Sequence, residues 1–148
     1  ALHGNPGPYQ VIAADGTRPP WRAGIFDRAL VDVPCTGLGA LRRRPEARWR
    51  RRPADLDGFA PLQRELLRGA IDSVRVGGVV GYATCSPHLA ETRAVVDDVL
   101  KHRADVELID ARALLPGVPE LGEGPDVQLW PHVHGTDAMY LALMRKVG

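Results

Sequence analysis

FDRALVDVPCTG at residues 26–37 and VVGYATCS at residues 79–86 are two apolar runs that each lead into a cysteine. Short apolar runs closed by Pro or by a polar turn are typical of buried strands, so we predict strands at residues 26–33 and 79–84. Between them, apolar residues recur at steps of three and four, which predicts a helix from about Asp55 to Gly77-Gly78. Its apolar stripe comprises Phe59, Leu62, Leu66, Ala70 and Val74.

Further elements extend this pattern in both directions. The run at residues 10–14, closed by the turn signal Asp15-Gly16, predicts a strand, as do residues 106–109 and 138–145. A second helix is predicted around residues 89–100, and residues 35–53, rich in Gly, Arg and Pro, should form a long exposed loop. The alternation of strands and helices indicates one α/β domain with helices on both faces of a sheet whose strands are buried on both sides.

Composition sets limits on location and redox state. The 148 residues are 45% hydrophobic and 25% charged, which is typical of a globular domain. No apolar run reaches the roughly 20 residues of a membrane helix, and residues 1–9 lack a signal-peptide pattern, so we expect a cytoplasmic protein and no membrane partner. Two cysteines favour reduced thiols, although a single Cys35–Cys85 disulfide is the alternative. No close Cys/His pair frames either cysteine, so no metal is expected.

Arginine is concentrated in one segment. Seven arginines fall between Arg42 and Arg52 in a chain whose net charge is only +1. Such a run is either a solvated face or a surface for nucleic-acid phosphates, which arginine binds through two parallel hydrogen bonds. On the second interpretation, the candidate RNA contacts are Arg42, Arg43, Arg44 and Arg48.

Reactive or acidic groups follow three predicted strands. These groups are Asp15, Asp32 with Pro34 and Cys35, and Cys85. Ligands of doubly wound sheets bind beyond the carboxyl ends of the strands, so these residues predict a site at that edge. For each aspartate, a turn or helix cap is the alternative.

Spaced motifs give the chain a specific resemblance. They are Asp32-Val33-Pro34-Cys35-Thr36-Gly37, then Arg43, Pro45, Arg48-Trp49 and Gln63, then Thr84-Cys85-Ser86 followed by Glu91, and lastly Gly135-Thr136-Asp137-Ala138-Met139-Tyr140. Together they resemble the Sun/Fmu family of RNA cytosine-5 methyltransferases. The family more often has Gly where this chain has Ala138.

The resemblance implies a fold and a mechanism. The fold would be part of a Rossmann-like class I methyltransferase sheet, mostly parallel with an antiparallel closing strand. The reaction would transfer a methyl group from S-adenosylmethionine to carbon 5 of cytosine in RNA, and small-subunit rRNA is the expected substrate. Cys85 would attack carbon 6, a role that suits a thiolate because it is both a strong nucleophile and a leaving group. Cys35 would assist product release, Asp32 would lie near the base and the cofactor, and Asp15 and Pro34 would contact the cofactor.

Part of the family pattern is not found. The Gly-rich cofactor loop and the ribose-binding acid do not occur in this sequence, so we expect the C-terminal part of the catalytic domain, inactive alone. A sheet lacking its first strands would have an unpaired edge, which invites self-association. Two other functions stay open: a non-catalytic RNA-binding module, and a class I methyltransferase acting on another nucleophile such as an exocyclic amine.

Overall fold

The computed structural model describes residues 9–148, and its sheet is built around one long strand. The strands are β1 (Phe26–Asp32), β2 (Val74–Thr84), β3 (Val106–Ile109), β4 (Val127–Gln128) and β5 (Tyr140–Lys146). The helices are α1 (Ala47–Arg50), α2 (Asp55–Ser73), α3 (Arg93–Leu100) and α4 (Pro131–His134), with short 3-10 turns at Leu38–Ala40, Leu89–Glu91 and Ala111–Leu114. The predicted α/β class is confirmed, and residues 106–109 form a strand as predicted.

The sheet runs in the order β1-β2-β5-β3, with β4 beside β5. Strands β1 and β2 are parallel, whereas β5 pairs antiparallel with β2, β3 and β4. The sheet of residues 9–148 is therefore mixed, with one parallel pair and an antiparallel closing strand. The parallel pair matters most, because it brings the carboxyl ends of β1 and β2 to the same edge.

The main core lies between the sheet and two helices. Val80, Tyr82, Ala142 and Met144 face the helices, and Leu67, Ile71, Val95, Val96 and Val99 face the sheet. Both α2 and α3 pack against this one face, so the prediction of helices on both faces is wrong for the described residues. The opposite face is covered only in part, by a smaller cluster of Ala111, Leu121 and Val127.

The predicted strand at residues 10–14 is also wrong. This segment has no regular structure and is exposed. A strand needs a hydrogen-bonding neighbour, and within the described residues β1 is paired only with β2, so the apolar run has no ladder to join.

Helix α2 is rotated slightly from the predicted stripe. Its fully buried row is Gln63, Leu67 and Ile71, whereas Leu62 is 39% exposed. An apolar pattern does not reveal this row, because the polar residue Gln63 occupies its first position. The helix leads directly into β2 at Val74, without the Gly77-Gly78 stop that we predicted.

Candidate active site

The two cysteines meet at the carboxyl edge of the parallel pair. Asp32 at the end of β1 lies opposite Ala83 of β2, and the Val33 amide donates to the Ala83 carbonyl at 3.1 Å. This register carries Cys35 and Cys85 side by side, with their sulfur atoms 3.4 Å apart. Both thiols are free, as the cysteine count predicted, because a disulfide would hold the sulfurs about 2.05 Å apart.

The two thiols differ in exposure and share their ionisation. Cys35 is buried, and Cys85 is partly exposed at the edge. The hydrogen bond from Cys85 lowers the pKa of Cys35 to about 6, and the same bond, together with burial, raises the pKa of Cys85. The pair therefore loses its first proton more easily than an isolated thiol and then holds the second proton between the sulfurs.

Segment 35–40 is partly buried, which corrects the prediction of an exposed loop over residues 35–53. Cys35, Thr36, Gly39 and Ala40 are all buried. The Gly39 amide donates to the Cys85 carbonyl, and the Gly39 carbonyl accepts from the Ala138 amide, each at 2.9 Å. A side chain at Gly39 would overlap the Ala138 carbonyl and approach the Cys85 carbonyl oxygen to 2.7 Å. Only glycine permits this close packing of the start of β5 against the two cysteine loops, the loop after β1 that carries Cys35 and the loop after β2 that carries Cys85.

The buried side chain of Glu91 binds both of these loops. Its carboxyl oxygens accept from the Thr36 amide at 2.8 Å, the Thr36 hydroxyl at 2.5 Å and the Ser86 hydroxyl at 2.6 Å. Gln63 donates both to Glu91 at 3.2 Å and to the Pro34 carbonyl at 2.9 Å. Glu91 and Gln63 both belong to the sequence motifs, but the motifs alone predict no role for either residue.

Asp137 anchors part of the arginine segment. Its nearly buried carboxylate accepts from Arg42 Nε at 2.8 Å and from Arg43 through two guanidinium nitrogens. These partners, Arg43 first, lower the pKa of Asp137 to about 2. Of the four predicted RNA-contacting arginines, Arg42 and Arg43 are thus bound to Asp137 while remaining partly exposed. Arg44 and Arg48 are exposed and make no ion pair with any described residue.

The predicted aspartates have different surroundings. Asp32 is exposed, and its charge is near enough to add to the rise in the pKa of Cys85, after the larger contributions of the Cys35 hydrogen bond and burial. Asp15 lies in a turn, where its carboxylate accepts from the Thr17 amide at 2.9 Å and the Thr17 hydroxyl at 2.7 Å. The turn-cap alternative therefore describes its present contacts.

Among residues 9–148, no group of three His, Cys, Asp or Glu side chains could hold a metal ion. His132 and His134 lie on the short helix α4, and His134 contacts the Pro119 carbonyl at 2.8 Å. None of the helices in this part of the chain combines the length and apolar character needed to cross a bilayer.

Comparisons with known proteins place this geometry in a wider group. The family described as 16S rRNA methyltransferase RsmB/F matches residues 6–145. A putative methyltransferase of Mycobacterium tuberculosis, MT1451, is 60% identical over 141 residues, which cover 95% of this chain and 30% of the relative. Ribosomal RNA small subunit methyltransferase B of Pectobacterium carotovorum is 37% identical over 93% of this chain and 30% of its own length.

Solved structures show the same fold. The crystal structure of PH0851 superimposes with a TM-score of 0.76 at 34% identity, covering 84% of this chain and 27% of that one. NSun6 from Pyrococcus horikoshii, crystallised with SFG, gives a TM-score of 0.67 at 31% identity over 80% of this chain and 29% of that one. The chain thus spans about 30% of the length of the curated relatives it matches.

Proposed function

The chain belongs to the RsmB/F family of 16S rRNA methyltransferases, the Sun/Fmu group, and from this membership and its paired cysteines we propose that it forms part of an RNA cytosine-5 methyltransferase. Its substrate would be a cytosine of small-subunit rRNA, and Cys85 would be the nucleophile. The observation that carries the proposal is the placement of two reduced cysteines, 3.4 Å apart, at the carboxyl edge of parallel strands. Methyltransferases that modify an exocyclic amine have no use for such a pair.

The chemistry begins with the shared proton. As cytosine arrives, the partly exposed Cys85 gives its proton to the Cys35 thiolate and adds to carbon 6 of the base. The addition makes carbon 5 nucleophilic. S-adenosylmethionine, the methyl donor of this family, supplies an electrophilic methyl group when bound. The carbon 5 proton then passes to solvent, the double bond between carbons 5 and 6 forms again, and Cys85 leaves as a thiolate. We assign assistance of this release to Cys35, whose thiol can return its proton to Cys85.

Asp32 and Pro34 fit the remaining roles better than Asp15 does. The Asp32 carboxylate is exposed beside the thiols and makes no hydrogen bond to any described residue, so it can accept from the amino group of cytosine or from the cofactor. Pro34 is exposed at the same edge. Asp15 would have to exchange its hydrogen bonds with Thr17 for cofactor contacts.

RNA would approach over the arginine segment. Arg44 and Arg48 are exposed without ion pairs among the described residues, and Trp49, which lies between Arg48 and Arg50 in the sequence, is 84% exposed. A solvent-exposed indole between guanidinium groups suits stacking on an unpaired base next to phosphate contacts. Arg48→Ala should weaken RNA binding and reduce its salt dependence by about one counterion. Arg42 and Arg43 would contribute less, because Asp137 already neutralises part of their charge.

The proposal is tested with the intact methyltransferase that contains this chain. Cys85→Ala should abolish methylation of 16S rRNA. Cys35→Ala should instead accumulate a covalent protein–RNA complex that survives denaturing electrophoresis, at about pH 8.5, where an ordinary thiol is half ionised. Retained activity in Cys85→Ala would overturn the proposal. RNA affinity that depends on salt in a protein without methylation activity would favour the RNA-binding module.

The 148-residue chain alone should neither methylate RNA nor bind S-adenosylmethionine tightly. Among the described residues, Asp32 and Pro34 are the exposed candidate cofactor contacts beside the cysteines, and we propose no other cofactor contact at that edge. Isothermal titration calorimetry with the isolated chain measures this, and tight binding would show that the pocket is more complete than we propose. A cytoplasmic location also remains a prediction.

A further inference from the structure

Glu91 is the one carboxyl group that contacts both cysteine loops within the described residues. Its side chain has no solvent exposure. Thr36, which follows Cys35 in the sequence, donates its amide and its hydroxyl to Glu91, and Ser86, which follows Cys85, donates its hydroxyl. Glu91 therefore binds each loop at the residue that directly follows its cysteine.

Glu91 itself is fixed from the protein interior. Its backbone carbonyl accepts from the hydroxyl of Tyr82, a fully buried residue of β2, at 2.7 Å. Its carboxyl group accepts from Gln63 of α2, which also holds the Pro34 carbonyl. Glu91 is thus bound to strand β2 and helix α2, and it in turn binds the two loops that carry the cysteines.

We propose that Glu91 is a positioning residue for methyl transfer, which sets the spacing of the Cys35 and Cys85 sulfurs by binding Thr36 and Ser86 with one carboxyl group. The inference rests on the proposed function of the cysteine pair and adds a residue that touches neither the substrate nor either sulfur. Catalytic groups have to be held within about 0.5 Å of their working geometry, and a displacement of about 1 Å can cost a hundredfold in rate. Two loops bound to a single buried group meet that requirement better than two loops held separately.

The four hydrogen bonds of the Glu91 carboxyl group make it possible to test the length of the side chain and its charge separately. Oε1 accepts from the Thr36 amide and Gln63, and Oε2 accepts from two hydroxyl groups, those of Thr36 and Ser86. In Glu91→Gln, the amide nitrogen can take the place of Oε2, because hydroxyl groups can also accept. Glu91→Asp keeps the charge but shortens the side chain by one methylene, so it cannot reach both loops. Positioning therefore predicts that Gln restores what Asp loses.

The test uses the intact methyltransferase and two readouts. The first is kcat and KM for RNA methylation, and the second is the rate at which diamide, a thiol oxidant, links Cys35 to Cys85, followed by peptide mass spectrometry. We expect Glu91→Asp and Ser86→Ala to lower kcat by about tenfold to a hundredfold with KM nearly unchanged, and to slow the crosslinking. Glu91→Gln should recover most of both. Leu89→Ala, on the exposed side of the same 3-10 turn, is the matched control and should change neither.

Ser86→Ala keeps the test decisive if Glu91→Asp does not fold, because it removes one hydroxyl and leaves the other bonds of Glu91 in place. Unchanged kcat and crosslinking in Ser86→Ala would overturn the inference. So would a Glu91→Gln protein that crosslinks normally but has lost kcat, since that result assigns Glu91 a chemical role through its charge. If Cys85→Ala still methylates RNA while Ser86→Ala slows the crosslinking, the proposed nucleophile is wrong and the positioning by Glu91 stands.

Discussion

The carboxyl edge of β1 and the outer face of the sheet, which lies opposite α2 and α3, differ in how completely the chain covers them. At the carboxyl edge, Thr36, Ser86 and Glu91 are buried and satisfy one another, so the cysteine loops are held by contacts within this chain. On the outer face, Leu30 is 73% exposed and lines a shallow apolar groove with Gly81, Ile109 and Leu143. The loops of the two cysteines are thus fixed by contacts within the chain, whereas the described residues cover the outer apolar face only in part. The contrast shows that the geometry of the cysteine pair depends on local contacts and does not require a fully covered sheet.

The largest effect on the free energy of unfolding is expected from Glu91→Ala at the carboxyl edge. This change leaves the Thr36 amide and the Thr36 and Ser86 hydroxyls without this acceptor and removes one of the two hydrogen bonds of Gln63, so the free energy of unfolding should fall by about 3 kcal/mol or more. Leu30→Ala on the outer face should change it by no more than about 0.5 kcal/mol. Urea unfolding of the chain followed by circular dichroism measures both. Equal losses in the two variants would mean that the carboxyl edge is not the more tightly built region.

The pH dependence of thiol alkylation tests the interaction between the two cysteines at the carboxyl edge. Since the first proton of the pair leaves near pH 6, iodoacetamide should modify the wild-type chain at pH 7 and lose this reactivity as the pH falls through about 6. In Cys35→Ala or Cys85→Ala the remaining thiol loses its hydrogen bond to the other sulfur, so the midpoint should rise toward that of an ordinary thiol, about 8.5. The alkylation rate, followed by intact mass, gives the midpoints. A wild-type midpoint equal to that of both variants would show that the thiols do not interact.

Two glycines test how closely the loops are packed. Gly39→Ala places a methyl group against the Ala138 and Cys85 carbonyls and should cost about 2 kcal/mol of unfolding free energy. Gly58 lies on α2, where an added methyl group would meet no other atom within 4 Å, so Gly58→Ala should instead stabilise the chain by about 0.5 to 1 kcal/mol through helix propensity. Urea unfolding distinguishes the opposite signs. A neutral Gly39→Ala would mean that the loops have room to separate.

The smallest effect on stability is expected at the outer face. Leu30→Lys should leave the unfolding free energy nearly unchanged but reduce self-association of the chain, because it puts a charge on the exposed edge strand. Light scattering after size-exclusion chromatography measures the association. If the wild-type chain is monomeric at high concentration, self-association through this edge is excluded.

Much of the site could be predicted because its reactive residues follow recognisable strands. Apolar runs ending in Pro34-Cys35 and Thr84-Cys85 were sufficient to place both sulfurs at one edge, and the parallel pairing of β1 with β2 explains why. The run at residues 10–14 has the same local pattern but no neighbouring strand among the described residues. Strand formation depends on that partner, which a local pattern does not contain.

The supporting residues were harder to predict for a different physical reason. Gln63 and Glu91 are polar, so hydropathy places them at the surface, yet both are fully buried because their hydrogen-bonding partners come from elements far away in the sequence. Asp137 likewise meets Arg42 and Arg43 only after β5 has joined the sheet. Buried polar groups are recognised by their partners, and the partners become known only with the fold.

Locating the covalent bond tests the central claim most directly. The intact methyltransferase is incubated with S-adenosylmethionine and an RNA that carries 5-fluorocytidine, whose carbon 5 has no proton to lose, and the adduct is mapped by digestion and peptide mass spectrometry. We predict that the nucleotide is attached to the peptide containing Cys85. Attachment to the peptide containing Cys35, or the absence of any adduct while RNA methylation proceeds normally on cytidine, would contradict the account.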